Sequence, residues 1–425
     1  MYTVLALSFV ILLLLGMPIS ITLASVTMII LYFFTPSPLL AIPQQLFNGL
    51  DNFVMLAVPF FILAGSIMTQ GAMAKRLVDI MNFLVGHIRG GGAVAAILSC
   101  LFFAALSGSS PATVVAIGSI MIPALTKSGY PERFSIGLLT TSGSLGIVIP
   151  PSIPMIFYAL VMNVSVAELF MAGILPGALI ALAFIIYSLI MARRHNWRIA
   201  HKVPFKEGMA SIKKGIWALL LPIFVLGGIY SGIFTPTEAA AISVVYALFV
   251  ELVIYREVSM KKLIRAAIDS AVLSGSLLFI LSCAMTFIWL LTTEQIPERL
   301  AEVTMEVAKT PNMFLFLVVV LFLFMGSIID DVSAMMILSP LFFETLKRFG
   351  IDLVHYGIIM VLVIEYGFLT PPFGLNLFVA MGLTKKSLVE VSKAVAPFLV
   401  ILLFCLFLCT YIPEISLYLP NKFLR

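Results

Sequence analysis

The sequence predicts an all-α protein that crosses a membrane many times, folded as two inverted repeats, each carrying a re-entrant helical hairpin and a broken helix. Three observations predict it. The chain is 62% apolar and 11% charged with mean hydropathy +1.16; it holds many apolar regions of spanning length; and its motifs recur at a nearly constant offset between the two halves. Soluble domains are far more polar. Crossing ~30 Å of hydrocarbon takes roughly 20 apolar residues as helix, and this chain supplies many such stretches.

The first apolar stretch, 3–33, is too long for the roughly 7–15-residue core of a signal peptide and has no charged lead-in, so it reads as a retained spanning helix. Further spans are predicted at 53–70, 134–162, 169–191, 216–234, 237–255, 271–292, 352–382 and 388–411. Two apolar regions, about 91–126 and about 311–346, break in the middle at Ser107-Gly-Ser-Ser-Pro111 and Ser327-Ile-Ile-Asp-Asp331. Irregular backbone at membrane depth survives only inside protein or beside water, so each region predicts a re-entrant hairpin.

Charge orients the spans. With the loop holding Arg193, Arg194, Arg198, Lys202, Lys206, Lys213 and Lys214 in the cytoplasm, most of the 25 Lys and Arg fall on that side, as the bias of basic residues toward cytoplasmic loops expects. The N-terminus is then cytoplasmic and the C-terminus periplasmic. The first hairpin lies on the cytoplasmic side, the second on the periplasmic side. The glutamate-rich loop 294–310 is outside. The net charge of +5 is scattered over short loops and forms no nucleic-acid surface. Cys100, Cys283, Cys405 and Cys409 sit in apolar segments and read as packing. His87, His195, His201 and His355 form no constellation.

Phe61-Ile-Leu-Ala64 recurs as Phe279-Ile-Leu-Ser282, and Arg76-Leu77 as Arg299-Leu300. Ser110 stands as far before Pro150-Pro151 as Asp331 before Pro371-Pro372. The order and spacing predict a first repeat over 1–215, a linking helix over 216–234 and a second repeat over 235–425. Because the equivalent hairpins fall on opposite sides, the repeats are inverted, an arrangement of secondary transporters, whose sites lie where the broken helices meet.

A Pro-Pro pair in a spanning helix removes two N–H donors and frees the carbonyls upstream. Those oxygens, with hydroxyls from a hairpin tip, make a cage of hard ligands suited to Na⁺, and two equivalent pairs predict two such sites. Asp330 is the candidate charge near the second, since a carboxylate at mid-membrane is costly unless used. Asp331 is equally read as a helix cap, as are Ser107, Ser109 and Ser110. Glu365 reads either as a ligand or proton site, or as a carboxylate satisfied by a neighbouring helix. Glu238, in Thr235-Pro-Thr-Glu238, reads as a helix start.

Four motifs, Ser107-Gly-Ser-Ser-Pro-Ala-Thr113, Leu145-Gly-Ile-Val-Ile-Pro-Pro-Ser-Ile-Pro154, Thr235-Pro-Thr-Glu-Ala-Ala-Ala241 and Leu369-Thr-Pro-Pro-Phe-Gly-Leu-Asn376, resemble the large M subunit of tripartite ATP-independent periplasmic (TRAP) transporters. The resemblance runs from Gly16-Met-Pro18 to Tyr418-Leu-Pro420. It implies an elevator-type transporter of the bacterial inner membrane that imports an organic anion, of the sialic acid or C4-dicarboxylate type, with Na⁺. It also implies two partners: a small four-helix membrane subunit (Q type) and a soluble periplasmic substrate-binding protein (P type). Because the chain starts at the large subunit's first helix, the small one is expected to be separate.

Carried over by position, the first sodium site would use Ser107, Gly146, Ile149 and Pro151. The second would use Gly326, Asp330, Gly367, Thr370 and Pro372. Ser109, Ser110, Pro150 and Asn376 are candidates for the substrate. Two positions depart from the pattern: Ser333 stands where relatives commonly carry Pro, and Asp331 where they carry a small or neutral residue.

The alternative is a stand-alone Na⁺/dicarboxylate symporter that needs no binding protein. An intramembrane enzyme would need a nucleophile with its base, or a metal set within the membrane, and the sequence offers neither. An open channel fits two occluding hairpins less well than alternating access does.

Overall fold

The computed structural model describes residues 1–197, 204–326, 331–372 and 374–425, and every regular element among them is helical. The stretch expected as one span over 3–33 is two helices, α1 (Tyr2–Leu14) and α2 (Ile19–Phe34). Gly16, at φ 76°, adopts the left-handed conformation that costs glycine little. Its N–H donates to Leu13 O and that of Met17 to Leu12 O, closing α1, and Pro18 has no N–H to continue it.

A short α3 (Ala41–Asn48) and a turn over Phe53–Leu56 lead into α4 (Ala57–Gln70). The charged segment that follows, read as a loop, is helix α5 (Met73–Val85), with Met73, Leu77, Ile80 and Met81 buried on one face. The first hairpin is α6 (Gly91–Ser107) and α7 (Ser110–Lys127). The first broken helix is α8 (Glu132–Ser144) and α9 (Ile153–Met162), followed by α10 (Val166–Arg194).

The linking helix is longer than 216–234: α11 runs Phe205–Tyr230, after Pro204 and before a left-handed Gly232. In α12 (Pro236–Phe249), Thr235 Oγ1 accepts from Glu238 N and the Glu238 carboxylate accepts from Thr235 N, the reciprocal cap expected there. The π-helical turn Val250–Tyr255 continues it.

The second half repeats the succession. α13 (Met260–Thr293) corresponds to α4, and α14 (Ile296–Val307), in the stretch read as an outside loop, to α5. The second hairpin is α15 (Pro311–Met325), bent 111° from α14, and α16 (Asp331–Leu341), with α17 (Phe343–Phe349) after it. The second broken helix is α18 (Leu353–Gly367) and α19 (Leu375–Thr384), then come α20 (Leu388–Tyr411) and a final α21 (Glu414–Phe423).

Among the described residues, seven helices are long and apolar enough to span a membrane, or eight if α14 and α15 count as one. This is a multi-pass membrane protein. The helices pack as two groups. α2, α4, α11, α12 and α13 lie against one another, while α6–α10 pack together with α18–α20. α5 joins them, packing against α11 on one side and α6 on the other. α21 is held to the second group by His355, whose ring nitrogens lie 2.7 Å from Ser416 Oγ and 3.3 Å from Thr410 O. The Arg425 guanidinium adds bonds to Glu168 and Asp352.

Candidate functional site

The first break begins where α8 tightens into the turn Leu145–Ile147. In a continuing helix the carbonyls of Gly146 and Ile147 would accept from residues 150 and 151, which are both proline and have no N–H. Ser152 donates its hydroxyl to Ile147 O at 2.6 Å. The Gly146 carbonyl receives no such replacement from Ser152. The Pro150–Pro151 and Pro371–Pro372 bonds are both cis.

The tip of the first hairpin docks on this stretch. Gly108, left-handed at φ 60°, ends α6 and lets the chain reverse into α7. Ser107 Oγ lies 3.1 Å from Thr113 Oγ1 and 3.3 Å from Ser109 O, and Thr113 Oγ1 donates to Ser109 O at 2.9 Å. Three oxygens therefore converge at the tip. Gly146 is pressed onto them: a Cβ there would stand 2.7 Å from Ser109 O and 2.9 Å from Thr113 Oγ1. A Cβ on Gly108 would stand 2.8 Å from Pro151 O, and Ile153 N donates to Gly108 O. The Ile149 side chain points elsewhere, onto Gly177 of α10.

The second break follows the same logic with other groups. Gly367 and Phe368 have lost their partners at Pro371 and Pro372. Thr370 N donates to Gly367 O and Asn376 N to Phe368 O, each at 3.0 Å. Thr370 Oγ1 donates to Tyr366 O at 2.9 Å, which leaves the lone pairs of that hydroxyl available. Gly326 closes α15. Asp330, the carboxylate expected here, lies outside the described residues, as does the side chain of Asp331, the first helical residue of α16.

The halves interlock. Asn376 Nδ2, from the start of α19, donates to Ser110 Oγ at 2.6 Å, both residues being fully buried; Asn376 Oδ1 has no partner among the described residues. α19 packs on α7, and α9 on α16. Ser144 Oγ meets Glu365 Oε1 at 2.7 Å. The structure thus brings Ser107, Ser109, Ser110, Gly146, Pro151 and Asn376 into one neighbourhood, with Pro150 buried beside them.

A cavity of about 400 Å³ opens beside the first tip, between Ser107, Ser109, Leu375 and the polar residues Thr69, Gln70 and Asp269. The facing residues Thr69, Gln70 and Asp269 escaped the sequence reading. Thr69 and Gln70 end an apolar run, and Asp269 lies ahead of the span expected at 271. Thr113 and Ser144 were also missed; polar side chains in a helix adjoining a proline break are the signal that would find them.

A family model described as "Tripartite ATP-independent periplasmic transporter, DctM component" matches residues 6–415. The chain is 46% identical to the C4-dicarboxylate TRAP transporter large permease protein DctM of Pseudomonas aeruginosa, over 91% of each chain. It is 42% identical to the protein of the same description from Rhodobacter capsulatus, over 96% of each. Its fold is similar to the crystal structure of the Alcanivorax borkumensis YdaH transporter, with a TM-score of 0.62 at 14% identity, covering 87% of this chain and 86% of that one. The chain belongs to the DctM family of TRAP transporter large permease subunits, and is a transporter component rather than an enzyme.

Proposed function

We propose that this chain is the translocating subunit of an importer that couples Na⁺ to uptake of a C4-dicarboxylate or closely related organic anion. The observation that carries the reading is the docking of the first tip on the first proline break. Ser107 Oγ, Ser109 O and Thr113 Oγ1 gather beside Gly146, whose missing Cβ leaves them room to share a cation. Hard oxygens of this kind suit Na⁺.

In this reading Ser107, Gly146, Ile149 and Pro151 hold the first sodium. Gly326, Asp330, Gly367, Thr370 and Pro372 hold the second. Ser109, Ser110, Pro150 and Asn376 face the substrate, with the unpaired Asn376 Oδ1 as one anchor. The cavity beside the first tip supplies the space for it. Relatives described as C4-dicarboxylate permeases favour that class over sialic acid.

In this reading α5 and the start of α13, with their Lys and Arg, lie on the cytoplasmic side of a bacterial inner membrane, which the bias of basic residues toward that side supports. The C-terminus is then periplasmic, and the N-terminus cytoplasmic with α1 and α2 making one crossing between them. The partners are a small Q-type membrane subunit and a P-type periplasmic binding protein. The movement is of elevator type, the group α6–α10, α15, α16 and α18–α20, which includes both hairpins, sliding against the group built on α4, α12 and α13.

The test is uptake of labelled succinate and of sialic acid into proteoliposomes under an inward Na⁺ gradient, with this chain alone or with both partners. Sodium-driven succinate uptake only when all three components are present supports the reading. Uptake by the chain alone, or without sodium, overturns it.

A further inference from the structure

We propose that the cleft between the ends of α8, α10 and α20 is a binding site for one anionic phospholipid, with its phosphate on Arg133 and an acyl chain on the aromatic residues beneath. The inference does not depend on the sodium-coupled reading above.

The cleft is two hollows that meet at Arg133 and Ala394. One, of about 210 Å³, is floored by rings. Phe134 of α8 stands 4.5 Å from Trp197 and 5.7 Å from Phe398 of α20, and Tyr187 of α10 stands 5.2 Å from Phe398, centroid to centroid. The other, of about 300 Å³, is lined by charge: Glu132, Lys386, Glu390 and Lys393 beside Arg133.

Polarity changes along the helices. α8 and α20 begin at the cleft and α10 ends there. Arg133 lies in the first turn of α8. Phe398 lies ten positions into α20, about 15 Å of rise, and Tyr187 seven positions before the end of α10, about 10 Å. Pro397, Val400 and Phe404, at i, i+3 and i+7, continue the floor as an exposed apolar stripe on α20. The ringed hollow thus opens sideways to hydrocarbon. A ligand that fits is charged at the helix ends and apolar toward the membrane centre, which describes a phospholipid and not a soluble anion. In the orientation proposed above, the site faces the cytoplasmic leaflet.

The free charge is positive. Lys386 pairs with Glu132 at 3.0 Å, and Glu390 Oε2 accepts from Ser387 N and Ser387 Oγ, closing the cap of α20. Arg133 and Lys393 pair with no carboxylate among the described residues. Arg133 is positioned instead by the backbone, its Nη2 donating to Lys393 O at 2.7 Å. The other N–H groups of that guanidinium remain for a phosphate, whose oxygens it matches in pairs. Arg193 and Arg194, exposed in the last turn of α10, add to the positive field. Basic pockets between spanning helices hold anionic headgroups in this way. A zwitterionic headgroup would bring an ammonium against the same cations.

The experiment is native mass spectrometry of the purified, delipidated chain offered phosphatidylglycerol, phosphatidylethanolamine with the same acyl chains, or glycerol 3-phosphate. The variants are Arg133→Gln, Lys393→Gln and Met191→Trp, the last chosen because Met191 lines the ringed hollow and a larger ring would fill it. The wild type should retain one phosphatidylglycerol in preference to phosphatidylethanolamine. Arg133→Gln and Lys393→Gln should each weaken that retention about fivefold, the share of one cation facing an anionic lipid. Met191→Trp should abolish it with the cations intact.

Equal retention of the two phospholipids overturns the proposal, as does glycerol 3-phosphate bound as tightly as phosphatidylglycerol, or a Met191→Trp chain that holds lipid like the wild type. Should a variant fail to fold, phosphatidylglycerol with a diazirine in its acyl chain, photolysed with the wild type in nanodiscs, decides. Cross-links concentrated at Tyr187–Met191 and Pro397–Phe404 support the site, and cross-links spread evenly over the exposed helices refute it.

Discussion

Pro150 and Pro151 are buried beneath the tip of the first hairpin, whereas the equivalent Pro371 and Pro372 are exposed. The two breaks share a hinge glycine, a proline pair and a replacement donor for the carbonyl after that glycine. They differ in what covers them. A hydroxyl, Ser152 Oγ, closes Ile147 O within a buried stretch, while a backbone N–H, that of Asn376, closes Phe368 O at a break open to its surroundings. Repeated sequence sets the local break, and the neighbours decide whether it is sealed. The first half offers an assembled oxygen cluster; the second offers a break with an accessible face.

Thiol labelling puts the sharpest question to that difference. All four native cysteines are buried, so a single introduced cysteine reports its own site. Leu375→Cys, at a position 45% exposed beside the second break, should react readily with a small polar maleimide. Ser152→Cys, fully buried at the first break, should stay unlabelled. Equal labelling of both would mean the breaks are alike.

Gly146→Ala is the next largest. The added methyl meets Ser109 O and Thr113 Oγ1 at less than contact distance, and overpacking of this kind costs about 1–3 kcal/mol. Sodium-dependent uptake should fall by roughly ten- to a hundredfold; unaltered uptake would show that the tip need not sit so close.

Asn376→Ala cuts the bond from the second break to the first hairpin and strands Ser110 Oγ in a buried site. A loss of about 1–3 kcal/mol is expected, read as a lower unfolding midpoint in detergent, and Ser110→Ala should lose at least as much because it leaves the Asn376 amide bare at Nδ2 as well as Oδ1. Smallest is Arg425→Ala. The guanidinium is partly exposed where it pairs with Glu168 and Asp352, so each pair contributes about 0.2–1 kcal/mol. Only faster proteolytic trimming of α21 is expected, with uptake unchanged.

Much of the site was legible because Gly, Pro and Ser interrupt apolar runs conspicuously. The Ser107–Pro111 tip and both proline pairs fall where the spacing put them. The same punctuation was overlooked at Gly16-Met-Pro18, where uninterrupted hydropathy over 3–33 outweighed it. α5 and α14 were read as loops because amphipathic helices mix charged with apolar residues, and only a helical period separates the two. The start of α13 was placed late for the same reason, since Lys261, Lys262 and Arg265 mask its first turns. The Ser144–Glu365 contact is tertiary, and no local pattern announces it.

α13 also bears on the lipid around the protein. Its 34 residues make a rod of about 51 Å, well beyond the ~30 Å of a hydrocarbon core. Tilt absorbs part of the excess, and the rest places Lys261, Lys262 and Arg265 among the headgroups, where each cation gains about 1 kcal/mol from anionic lipid. Bilayer thickness and surface charge thereby become settings of the transporter itself, and reconstitution into thick, neutral membranes should slow it even with every protein contact intact.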